Sequence, residues 1–171
     1  MKCKGLTLLE LMASLSIAAI LLSLAAPGFA GWIEKSRLRT QAYDLLTDLQ
    51  KTRAEAVHRL TRVSLWNVDG DWSTGWEMFV DANNNGSRES PEVLLFARQQ
   101  VSSGTRISGN LLVSSYVSYI ASGASQTSSG AFQAGTLTLC GTNIDQAYQI
   151  VISRGGRARL HGIVSSPATC P

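Results

Sequence analysis

Residues 4–32 read KGLTLLELMASLSIAAILLSLAAPGFAGW. From residue 6 to residue 30 the chain is apolar apart from Ser, Thr and Gly, and Glu10 is the only charge in it. A helix of about 25 residues is about 37 Å long, enough to cross the hydrocarbon core of a bilayer. A carboxylate at the centre of a bilayer costs about 2.5 kcal/mol or more, so such residues generally have a task. Lys2 and Lys4 precede the run and predict a cytoplasmic N-terminus with the body on the far side.

Three readings fit this stretch. A secretory signal cut near Ala26 or Ala30 has a shorter, uncharged apolar region. A plain membrane anchor explains the length and leaves Glu10 unexplained. The third rests on Gly5-Leu6-Thr7-Leu8-Leu9-Glu10, which resembles the G-F-T-L-x-E processing site of type IV pilins and type II secretion pseudopilins, with Leu6 in place of the usual Phe. The resemblance implies that a prepilin peptidase cuts after Gly5 and methylates the new amine of Leu6. Glu10 becomes the fifth mature residue and Pro27 the twenty-second, a place where many pilins also carry proline. It implies further that Glu10 pairs with the Leu6 amine of a neighbouring subunit as helices stack in a filament. In a low-dielectric core each charge is tolerable only when paired, so the pair sets register more than it adds stability.

Beyond Pro27-Gly28, which are expected to kink or loosen the helix, Leu38, Ala42, Leu45, Leu49, Ala56 and Leu60 recur near helical spacing with charges between them. This predicts an amphipathic continuation packed on a head. From residue 62 the period shifts towards two. Strands are predicted at 62–67, 75–80, 92–97, 111–121, 135–139, 148–153 and 158–164, and SGASQTSSG at 122–130 as a mobile loop. The expected fold class is α+β and type IV pilin-like, a long helix packed on an antiparallel sheet. Its parts are a leader (1–5), a transmembrane and filament-core half (6–30), an amphipathic half (31–61) and a β-rich head (62–171). The stretch GWEMFVDANNNG at 75–86 resembles the G-W-x-x-F-x-D-x-N-x-(D/N)-G segment of the GspH/FimT family of minor pilins and pseudopilins.

The chain carries 15 Lys+Arg and 12 Asp+Glu. Two of the lysines lie in the leader, so the mature chain is near neutral and any basic site is local. Of three cysteines, Cys3 lies in the leader. Cys140 and Cys170 remain and are expected to form a disulfide, because the N-terminal segment points outside the cytoplasm; the alternative is two unpaired thiols.

Two stretches carry candidate sites. Asp81, Asn83, Asn85, Gly86 and Glu92 fit D-x-N-x-N-G-x5-E, a calcium-loop spacing. Only two of these residues are charged, Pro91 precedes Glu92, and the flanks read as strands. The other reading is a hairpin turn in which Asn and Gly accept positive φ. The second stretch, SRGGRARLH at 153–161, places Arg157, Arg159 and His161 on one strand face with Arg154 beside them. Arginines displayed this way suit phosphate. Gly156-Arg157-Ala158-Arg159 resembles the G-R-x-R motif of FimT-type proteins, which implies binding of DNA in natural transformation; with double-stranded DNA as the partner, binding is expected to be sequence-independent, because arginines alone on an exposed strand grip phosphates. Alternatively, the arginines solubilise an edge strand or pair with a neighbouring subunit. Lys51 and Arg106 are further candidates for the patch. Two histidines and no nucleophile motif argue against an enzyme, and no cofactor is expected.

The resemblance therefore implies a minor pilin of a type IV pilus, at or near its tip, with a DNA-binding arginine strand. The alternative is a tip-priming pseudopilin of type II secretion that binds no DNA. Expected partners are other pilins, the prepilin peptidase and the bacterial inner membrane, crossed once with the head in the periplasm.

Overall fold

The computed structural model describes residues 7–101, 104–142, 144–166 and 170, without the side chains at 24–28 and 30. The processing-site residues Gly5 and Leu6 lie outside this description, as does the side chain of Pro27. The apolar run is thus described only in part, and among the described residues no helix is long and apolar enough to cross a membrane.

Helix α1 (Leu8–Arg59) is a single helix of 52 residues, about 78 Å long, and its helical assignment continues through Pro27 and Gly28. It opens on a capping box. The Glu10 carboxylate accepts from the Thr7 amide at 2.9 Å and from the Thr7 hydroxyl at 3.0 Å, while Thr7 Oγ1 accepts from the Glu10 amide at 3.3 Å. Two orphan donors of the first turn are satisfied reciprocally. The side chains described at 8–23, together with Phe29 and Trp32, are exposed. The second half is amphipathic. Leu38, Ala42, Leu45, Leu49, Thr52 and Ala56 are buried at alternating spacings of three and four, the stripe that a 3.6-residue period produces. Leu60, expected in that stripe, instead caps the helix at φ 53 and is 78% exposed. Thr52 joins the stripe because its hydroxyl donates to the Asp48 carbonyl and leaves no unpaired polar group.

The helix packs across two four-stranded antiparallel sheets. The first has the order β3 (Leu94–Gln99), β2 (Gly75–Val80), β1 (Val63–Trp66), β5 (Tyr116–Tyr119). The second has the order β4 (Thr105–Gly109), β6 (Gly135–Gly141), β7 (Gln146–Ile152), β8 (Ala158–Val164). Their inner faces and α1 share one core, with Leu65, Trp72, Trp76, Val117, Leu137, Leu139 and Ile150 among its buried members.

Three expectations change. The predicted strand at 111–121 shrinks to Tyr116–Tyr119, because residues 111–113 form a turn with Leu111 95% exposed. Strand β4 fills a region that carries no motif. The serine-rich segment at 122–130 is also well fastened. Ser125 and Thr127 are buried, and bridges join Tyr119 to Ser125 and Gln126 to Phe132. The guanidinium of Arg62 donates to the Gln126 and Thr127 carbonyls and to Gln126 Oε1. Polar side chains can be buried in this way because each finds a partner.

Cys140 and Cys170 form a disulfide with a Cα–Cα distance of 5.9 Å. It ties the C-terminal tail back to β6. A loop of this size, separated by 30 residues, contributes about 3 to 4 kcal/mol in the chain-entropy account.

Candidate functional site

The two candidate turns of the sequence behave differently. In the first, Asp81 is 1% exposed and accepts from Ser64 Oγ at 2.6 Å, from the Asn85 amide at 3.0 Å and from the Gly86 amide at 3.1 Å. Glu92 accepts from the amides of Ala82, Asn83 and Glu89. Asn83 and Asn85 each accept from the amide two residues on. The four candidate calcium ligands thus face backbone N–H groups of their own loop, the pattern of Asx turns. Among the described residues no group of three or more His, Cys, Asp or Glu is placed to hold a metal ion. The loop's packing role is plain: Gly86, at φ +79, lies against the Tyr116 ring.

In the second, β7 and β8 are joined by a tight turn closed by hydrogen bonds from the Ser153 amide to the Arg157 carbonyl and from the Gly156 amide to the Ser153 carbonyl. Arg154 sits at the exposed tip, Arg157 at the turn's exit and Arg159 on β8, the outer strand of its sheet. Arg157, Arg159 and His161 line one open groove of about 420 Å³ together with Arg53 of α1. The sequence pattern therefore places the strand residues together, but it misses Arg53. That side chain arrives from far along the chain, where no local period marks it. Arg53 Nε donates to the Gly123 carbonyl at 2.7 Å, and its Nη2 lies 3.5 Å from the Gly155 carbonyl. It thus clamps two turns to the helix. Among the described residues no carboxylate pairs with Arg154, Arg157 or Arg159.

The other two sequence candidates lie elsewhere. Lys51 approaches Asp48 at 3.7 Å and the Phe96 ring at 5.8 Å. Arg106 is on β4, the opposite edge of the second sheet, beside the disulfide.

The glycine of Gly156-Arg157-Ala158-Arg159 has a steric reason. Gly156 has φ +75, and a Cβ there would strike the Gly123 carbonyl oxygen. Gly156→Ala is expected to destabilise the head by about 3 kcal/mol, combining left-handed strain of about 1 to 2 kcal/mol with that backbone collision. Thermal unfolding checks this, and an unchanged Tm would show that the turns can separate freely.

Between the sheets and α1 lies a second polar cluster. Asp48, 1% exposed, accepts from Trp76 Nε1 at 3.1 Å and from Arg98 Nε at 2.7 Å. Arg98 also reaches Asp44 at 3.5 Å and lies over the Trp76 and Phe96 rings. The hydrogen bond to Asp48 holds Arg98 above the usual arginine range, against the opposing effect of burial. This cluster is structural, since it fastens the edge strand β3 to the helix.

A protruding N-terminal helix whose second half packs on an antiparallel head defines the pilin-like class of filament subunits. The chain belongs to the GspH family: the profile described as type II transport protein GspH matches residues 41–156. A prokaryotic N-terminal methylation motif matches residues 1–26. Among solved structures, the type IV minor pilin FimU of Pseudomonas aeruginosa is similar with a TM-score of 0.63 and 22% identity, over 76% of this chain and 92% of that one. The minor pseudopilin EpsH from the type 2 secretion system of Vibrio cholerae is similar with a TM-score of 0.53 and 13% identity, over 73% of this chain and 96% of that one. No curated protein sequence matches.

Proposed function

We propose that the chain is a minor pilin of a type IV pilus, held in the bacterial inner membrane by residues 6–30 until assembly, and that its head grips DNA phosphates with the β7–β8 arginine turn. Family membership and the methylation motif support the filament role. The observation that carries the DNA reading is the groove in which Arg157 at the turn's exit and Arg159 on an outer strand meet Arg53, with no carboxylate among its described lining residues. Arginines set out in this way hold phosphates and do not read bases, so binding is sequence-independent and falls steeply with salt. The prepilin peptidase, which cuts between Gly5 and Leu6, and other pilins are its protein partners. The family's type II transport description favours a second reading, a tip-priming pseudopilin with protein contacts alone.

Gel shifts with the full chain in detergent micelles separate the two. Arg157→Ala with Arg159→Ala is expected to abolish a duplex shift seen with the parent chain. No shift by the parent, or an unaltered shift by the double variant, refutes DNA binding and leaves the pseudopilin reading.

A further inference from the structure

Beside the arginine groove, and sharing Arg53 and Arg157 with it, a larger cleft of about 640 Å³ opens between α1 and the start of β8. Its volume falls in the range of small-ligand sites. Leu49, Val57 and Ala158 supply apolar walls. Tyr119 also lines it. That side chain is fully buried, and its hydroxyl has no hydrogen-bond partner among the described residues. A buried, unpaired hydroxyl is costly and marks a place where a ligand atom can supply what the fold does not.

We propose that this cleft takes one unstacked nucleobase of a single DNA strand whose phosphates run over Arg157 and Arg159. The inference rests on the DNA reading above and adds the form of DNA preferred. Three features meet here. The guanidinium groups of Arg157, at the shared rim, and of Arg159, in the adjoining groove, can neutralise the phosphates flanking a base, and Arg157 offers a flat face for it to stack on. The apolar walls suit the faces of the ring, and the Tyr119 hydroxyl can donate to or accept from its polar edge. A duplex keeps its bases stacked and paired, so it can lie across the arginines but cannot fill the cleft without unstacking.

The test compares an oligothymidylate strand with a blunt duplex of the same length by fluorescence anisotropy, using the full chain in micelles. The parent is expected to bind the single strand about 10-fold more tightly, the scale of one stacked base. Ala54→Leu with Ala158→Val fills the cleft with aliphatic carbon, touches no arginine, and is expected to bring single-strand affinity down to the duplex value. Tyr119→Phe removes only the unpaired hydroxyl, leaves folding intact, and is expected to weaken single-strand binding about 5-fold with duplex binding unchanged. Equal affinity for the two forms, or unchanged single-strand affinity in either variant, overturns the inference. If both forms bind equally and both are lost in Arg157→Ala with Arg159→Ala, the cleft is refuted and the arginine turn stands. If neither form binds the parent, both fall.

Discussion

Trp76→Ala is expected to lower the stability of the head by about 5 kcal/mol, with Tm falling by roughly 20 °C. The ring is fully buried between α1 and the first sheet, and truncating a buried Trp to Ala costs about 3 to 5 kcal/mol through lost burial and an unfilled cavity. A second loss is added. Trp76 Nε1 donates to the carboxylate of Asp48, to Oδ2, at 3.1 Å, and among the described residues Oδ1 accepts no hydrogen bond and is approached by Lys51 Nζ at 3.7 Å. Removing the indole therefore leaves Asp48 with Arg98 Nε at 2.7 Å as its one remaining close donor. A buried acceptor deprived of a donor costs about 1 to 3 kcal/mol. Trp76→Phe keeps most of the volume and isolates this second loss. Near-UV circular dichroism during heating gives both values. A Tm within a few degrees of the parent for Trp76→Ala would mean that the helix–sheet seam does not depend on this residue.

Glu10→Ala is expected to reduce filament incorporation by at least an order of magnitude while membrane insertion continues. In the isolated chain the carboxylate closes its own helix start through Thr7. In a packed filament the same group is proposed to meet the positive Leu6 amine of the adjoining subunit. Breaking a buried ion pair by deleting one partner costs about 3 to 5 kcal/mol, because the surviving charge is left uncompensated. Insertion into the bilayer loses nothing, since a charge has been taken out of an apolar run. The ratio of subunit in sheared filaments to subunit in the membrane fraction measures the effect. Parent-like incorporation of the Ala variant would rule out the pairing, and so would mass spectrometry showing that the native N-terminus is not Leu6.

Two strands, Gly75–Val80 and Ala158–Val164, lie where the sequence pattern puts them. Both are bounded by glycine turns and carry strong alternation or aromatic content. The helix stripe was legible for the same reason, except at its end. Leu60 reads as apolar and periodic, yet the chain must turn there, and a left-handed cap carries the side chain outward. What the pattern could not show depends on distance along the chain. Arg53 meets Gly123 across 70 positions, and nothing local distinguishes it from its charged neighbours. Strand β4 is short and contributes one wholly buried side chain, Ile107, so its alternation is faint. The serine-rich segment misleads in the opposite sense. Its polar composition suggests mobility, but Arg62 donates to two of its carbonyls, the Ser118 carbonyl accepts from the Gln126 amide and the Gln133 carbonyl accepts from the Ser125 hydroxyl, which lets it be buried. The arginine turn was legible as a cluster of charge, whereas its steric lock at Gly156 becomes visible only when the opposing turn is in place.

The long contact between α1 and both sheets also has a mechanical side. The buried residues from Leu38 to Ala56 lie along the helix axis, so a pull transmitted through the rod loads all of them at once, parallel to their seam. Such a joint yields by sliding many side chains together, not by peeling them apart in turn. A head built in this way bears an axial load along its stem without peeling away from it.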